Sequence, residues 1–292
     1  MYNILYSSSK SGIPLLEVSL YSVCKHLGKE NVTFYIMKSN WSDEDTQSFQ
    51  ETIGKDCSII YINIEKTVFD GIRNTKGLPI ETLFRLYGIE QLPLNVHRIL
   101  YLDIDILCVS ESIKTLFDNL LDDKFKLAAV PDAGIPDKYE ANIIGDNALM
   151  HYFNAGVLFI NVDYCREIGL WDLSQKYLSN EDLIAVDQDI LNIIFKDDYY
   201  CLSHRYNYMS PQIFKDMLFY RKNTVIKNSL PILIHFDGPH KPWYPLCANP
   251  YKDVYKEIVE ELGVQLKIPF NKSFIYKFKL LLQYIKIVIC SK

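Results

Sequence analysis

The stretch Arg98-Ile99-Leu100-Tyr101-Leu102-Asp103-Ile104-Asp105-Ile106-Leu107 sets two carboxylates, Asp103 and Asp105, into an otherwise apolar run. The run reads as a buried strand, where a charge is costly unless it is paired or coordinates a metal. One residue separates the two. In extended backbone that spacing turns both side chains to one face, so they can share a divalent cation. The pattern also admits a pair of strand-end carboxylates capping the next helix.

Outward from this strand, short apolar strands alternate with helical segments. Strands are predicted at 3–7, 32–37, 57–62 and 98–102. Leu16, Leu20, Val23 and Leu27 have helical spacing with Gly28 as a stop, and 42–53 reads as a helix between an N-cap Ser42 and Gly54. That alternation predicts β-α-β units and one Rossmann-like, mostly parallel α/β sheet flanked by helices. Ligands in such sheets gather at the carboxyl ends of the strands, where Asp103 and Asp105 sit. Further on, the pattern predicts a strand at 126–130, a loop over 131–152, a strand at 156–161, helices at 164–178 and 187–195, and a strand at 232–235. No repeat or linker interrupts it. The expected division is a catalytic domain over 1–250 and a C-terminal helical segment over 251–292.

At 292 residues, 49% of them hydrophobic, the chain can bury a sizeable core. Its formal charge of −5 argues against nucleic acid as a partner, since phosphate neutralisation needs concentrated Lys and Arg. Seven cysteines, at 24, 57, 108, 165, 201, 247 and 290, form no C-x-x-C pair. They fit small core residues in a reducing, cytoplasmic compartment. The N-terminus lacks the basic and apolar regions of a secretory signal, and no run of about 18 apolar residues predicts a membrane span.

Five segments stand in a telling order: Arg85 within Glu81-Thr82-Leu83-Phe84-Arg85-Leu86, then Tyr101-Leu102-Asp103-Ile104-Asp105, Phe153 to Asn161, Asp187-Gln188-Asp189-Ile190-Leu191-Asn192, and His235-Phe236-Asp237-Gly238-Pro239-His240-Lys241-Pro242-Trp243. Together, over residues 1–245, they resemble the family 8 retaining glycosyltransferases, which include glycogenin and bacterial lipooligosaccharide galactosyltransferases. The resemblance implies a GT-A fold, a UDP-sugar donor, an oligosaccharide or lipid-linked glycan acceptor, and a manganese-type metal. It places Asp187 and Gln188 at the reacting sugar, Asp132 as a sugar-hydroxyl acceptor, Ile104 in the donor motif, and Ser7 and Ser9 at the nucleotide. The family has an aspartate where this chain has Ser9, so base contacts would fall to serine hydroxyls and backbone groups. A relative that binds nucleotide sugar or glycan without turnover is the alternative.

The residue types support that chemistry on their own. A departing diphosphate can be stabilised by a divalent cation acting as a Lewis acid, with Asp103 and Asp105 as ligands. His235, at the end of an apolar strand, is a third candidate ligand, and an imidazole among oxygens favours Mn2+ over Mg2+. Gly238 would let backbone approach the phosphates, and the Lys241 ammonium would neutralise them. Arg85 offers guanidinium donors to phosphate and sugar oxygens. The Asn154 amide can donate and accept, with Ala155 and Gly156 leaving room for a sugar. An amide oxygen is a poor nucleophile, so front-face transfer, positioned by Gln188 and Asp187, is favoured over double displacement.

The segment 270–292 is basic and rich in aromatic and aliphatic residues. On a helical wheel Lys272, Lys279, Gln283 and Lys286 form a narrow polar stripe, and Lys277 falls in the apolar face. A helix at the inner membrane surface, a helix docked on this domain or on a second subunit of a homo-oligomer, and a terminal strand all fit.

Overall fold

The computed structural model describes residues 1–54, 56–72, 78–119, 125–145, 148–220, 225, 230–266 and 274–290. Alternate residues of its first strand, β1 (Tyr2–Ser9), feed two cores. Ile4 and Tyr6 pack on one face with Phe34, Ile36, Leu100 and Leu102, while Leu5 packs on the other with Tyr35, Met37, Ile99 and Tyr101. A strand apolar on both faces needs helices on both sides, which makes this the interior of a layered α/β fold.

The remaining strands are β2 (Val32–Ser39), β3 (Ser58–Asn63), β4 (Arg98–Leu102), β5 (Ile106–Cys108), β6 (Leu127–Pro131), β7 (Phe153–Asn161), β8 (Tyr200–Cys201), β9 (Tyr208–Met209) and β10 (Leu233–His235). Seven form the main sheet in the order β3-β2-β1-β4-β7-β6-β8. Only β7 runs against its neighbours, β4 and β6. The strand predicted at 232–235 is β10, and it forms a second sheet, β5-β10-β9, with two partners of three and two residues that the sequence pattern does not resolve as separate strands. It carries His235 to the edge of the site.

Several boundaries move. The segment between β6 and β7, expected as loop, contains the helix Asp137–Ile144, entered after Pro136 and ended at Gly145 with φ +90°. The helix expected over 164–178 is broken in two, Val162–Ile168 and Leu170–Gln175, by Gly169 in the left-handed region. Strand β7 begins three residues early, so Asn154, Ala155 and Gly156 lie inside it. The terminal strand is excluded, since Phe274–Cys290 is helical. Lys272 lies outside the described residues, as does the side chain of Lys286.

The β6–β7 ladder breaks at the centre of the sheet. Ala129 pairs with Leu158, yet the next residue, Val130, pairs with Asn154, leaving Ala155, Gly156 and Val157 without partners in β6. The backbone groups freed there become part of the site.

Candidate active site

Asp103 and Asp105 lie beyond the end of β4, in a turn that the Ile106 N–H closes on the Asp103 carbonyl at 3.1 Å. Their carboxylates therefore converge through a turn and not through strand alternation, the geometry expected above. His235, ending β10, joins them: ligand atoms of Asp103, Asp105 and His235 lie within 4.8 Å of one another. Two carboxylate oxygens and an imidazole nitrogen suit a divalent cation of the Mn2+ type, so the residues fit the expected metal. The ammonium of Lys241 pairs with the second oxygen of Asp105, and His235 Nε2 lies 3.3 Å from the first. Burial would raise the Asp105 pKa, but Lys241 and His235 outweigh it and hold the carboxyl well below the usual range. Burial works against charge on His235 too, yet Asp105 raises its pKa above that of free imidazole.

Arg85 sits beneath this group, 4% exposed. Its guanidinium reaches Asp103 at 2.8 Å and Asp187 at 3.1 Å, donates to the carbonyls of Ala155 and Thr82, and stacks 4.4 Å from the Tyr101 ring. With its donors engaged in this way, Arg85 is the counter-ion of two carboxylates. Burial opposes the charge, but Asp103, Tyr101 and Asp187 raise the Arg85 pKa above the ordinary arginine value. Burial also pushes Asp187 up to about 6, despite Arg85 beside it. The Tyr101 hydroxyl donates to Asp103 at 2.8 Å and accepts from Ser7 at 2.9 Å. The Ser9 hydroxyl shares a hydrogen bond with that of Ser11 at 3.0 Å, and its carbonyl accepts from the Ser8 hydroxyl at 2.9 Å. Ile104 reaches over Gly12, where an added Cβ would come within 2.9 Å of its terminal methyl, so Ser9 and Ile104 bound the same end of β1.

A second group gathers around Asp132, just after β6. One of its oxygens accepts from Asn154 Nδ2 at 3.0 Å and from Gln188 Nε2 at 3.1 Å. The Gln188 carbonyl oxygen accepts from the Ala155 N–H at 2.8 Å. Gln188 and Asp187 open the helix Val186–Phe195, and one turn later Asn192 brackets the backbone of Phe153, accepting from its N–H at 2.7 Å and donating to its carbonyl at 2.8 Å. Asp189, left out of the sugar site in the sequence reading, accepts from Tyr139, Tyr152, Ile184 and Ala185 and so pins the loop before Asp187.

Gly238 has φ +65°, which lets the chain turn between His235 and Lys241. It lines a cavity of about 350 Å³ together with Ser210, Pro211, Phe214, Leu218 and Gln283. The expected site residues thus form two clusters, one around Asp105 and one around Asp132. Between them lie Arg85 and two residues that the sequence reading missed as functional, Tyr101 and Asn207. Tyr101 stood in the quoted motif, and its hydroxyl carried the signal. Asn207 carried none, because its partners lie 28 and 53 residues away.

Residues 3–247 match the family model described as Glycosyl transferase family 8. A Haemophilus influenzae chain provisionally described as a glycosyltransferase is 28% identical, with 97% of this chain and 88% of that one aligned. A lipopolysaccharide 1,2-glucosyltransferase of Escherichia coli K12 is 25% identical over 95% of this chain and 83% of its own. The galactosyltransferase LgtC, solved with donor and acceptor sugar analogs, superposes with a TM-score of 0.78 at 24% identity, covering 91% of this chain and 98% of that one. That likeness shows the fold.

Proposed function

The chain belongs to glycosyl transferase family 8, and from that premise we propose a metal-dependent, retaining transfer of galactose or glucose from a UDP-sugar to a cell-surface oligosaccharide or lipid-linked glycan. The observation that carries this reading is the convergence of Asp103, Asp105 and His235 beside the Lys241 ammonium. A glucosyl donor and a surface glycan also agree with what the E. coli relative is named for. A bound Mn2+, or Mg2+ in its place, would supply Lewis-acid stabilisation of the leaving diphosphate.

The chain's own residues divide the work. Lys241 turns from Asp105 to the diphosphate, and Gly238 leaves room for the phosphates beside it. Ser7, Ser9 and Ile104 border the nucleoside. Asp132 and Asn154 hold sugar hydroxyls, while Ala155 offers its backbone groups to the framework. Arg85 sets the spacing of Asp103 and Asp187. The Gln188 oxygen is already bonded to the Ala155 N–H, so it is engaged and not poised for attack, which favours front-face transfer. Residues 1–250 form the catalytic unit. The helix Lys252–Leu262 packs on it through Tyr255 and Ile258, and the basic, apolar helix that follows would bring the enzyme to the cytoplasmic membrane face.

The test measures UDP released from UDP-glucose and UDP-galactose. Release with Mn2+, loss on chelation, and recovery on adding Mn2+ back are expected. Asp105→Asn should lower turnover at least ~10³-fold, with Tm changed by only a few degrees. Binding of either donor without release would support the non-catalytic alternative. Gln188→Ala should keep measurable transfer, down roughly 10²-fold; complete loss with donor binding intact would count for a nucleophile.

A further inference from the structure

The backbone N–H of Gly156 can only donate, and it donates to Asn154 Oδ1 at 2.9 Å. That bond fixes the Asn154 amide with its oxygen toward Gly156 and its nitrogen toward Asp132. Asn207 Nδ2 donates to the same Asn154 oxygen at 2.8 Å, which leaves Asn207 Oδ1 facing His235 Nδ1 at 3.0 Å. Facing an acceptor, Nδ1 must carry the hydrogen. Nε2 is then the nitrogen whose lone pair is free for a cation at Asp105. Asn207 is fully buried, and so are the bonds that join Gly156, Asn154, Asn207 and His235.

We propose that Asn207 is a positioning residue that fixes the tautomer and ring plane of His235 for cation binding and couples that choice to Asn154 on the sugar side. The proposal rests on the reading of Asp103, Asp105 and His235 as a divalent-cation site. An outer partner of this kind orients a ligating histidine, and its removal typically costs 10–100-fold in metal affinity.

The experiment is a Mn2+ titration of the full chain without nucleotide, following the free-Mn2+ signal by electron paramagnetic resonance, on wild type, Asn207→Leu and Asn207→Asp. Asn207→Leu should weaken Mn2+ binding at least tenfold. Asn207→Asp keeps the acceptor for His235 and loses the donor to Asn154. It should bind Mn2+ no more weakly than wild type while its KM for donor rises. Wild-type affinity in a folded Asn207→Leu would overturn the proposal, as would a tenfold loss in a folded Asn207→Asp. Should the leucine variant fail to fold, Asn207→Ala is read in the same way. A wild-type protein that binds no Mn2+ overturns the cation-site reading itself, and does so before any variant is compared.

Discussion

A methyl group added to Gly156 would sit 2.9 Å from His235 Nδ1, closer still to Cε1, and 3.0 Å from Asn154 Oδ1. None of these neighbours can give way freely, since His235 and Asn154 are both buried and hydrogen-bonded. Gly156→Ala should therefore cut turnover by roughly two orders of magnitude or abolish it, and weaken Mn2+ binding with it, measurable by UDP release and metal titration. The residues that sequence alone exposes are those whose chemistry conflicts with their setting. Asp103 and Asp105 stand out as charges in an apolar run, and His235 as an imidazole ending one. Gly156 stands out only as a small residue that leaves room for a sugar, and Asn207 not at all, because what makes them matter is a neighbour brought close only by folding, His235 for both.

Helix packing brings a carboxyl into the interior away from the site. Glu17, on the helix Ile13–Leu27, is buried, and burial pushes its pKa up to about 7, although Thr52 of the helix Asp43–Ile53 bonds its side chain. The folded protein thus keeps a proton that the unfolded chain releases above the ordinary carboxylate range. Stability should fall as pH rises from about 4.5 to about 7 and level off above. Glu17→Gln should flatten that decline and be more stable than wild type at pH 8 by about 1–2 kcal/mol, read from denaturant midpoints at pH 5 and 8. At this scale the first half of the chain was legible, because its strands are apolar on both faces and its helices carry clear stops at Gly28 and Gly54. The helix Asp137–Ile144 was hidden by its length of eight residues and by polar composition, and β5 and β9 of the second sheet by their brevity.

Across the molecule, the described part of the C-terminal helix buries Leu280 and exposes Phe278, Leu281, Leu282 and Ile285 along one face, with exposed Lys277 and Lys279 beside it. The helix contacts Ser210–Phe219, whose Leu218 and Phe219 are also exposed. No helix among the described residues is long and apolar enough to cross a membrane. Truncation after residue 266 should release the protein from anionic vesicles in a sedimentation assay while UDP release persists. Full-length protein that ignores vesicles but falls from dimer to monomer on truncation would make this face a subunit contact.

The gap in the β6–β7 ladder has a spectroscopic consequence. The amides of Phe153, Ala155 and Gly156 are held by the side chains of Asn192, Gln188 and Asn154, at the heart of the sheet. Their hydrogen–deuterium exchange should therefore follow those side chains and not the neighbouring strand. In Gln188→Ala the Ala155 amide should exchange faster while that of Leu158, the first residue of the intact ladder, stays slow. Ligands that reorganise Gln188 would register at the same amide, giving the central strand a built-in reporter of site occupancy.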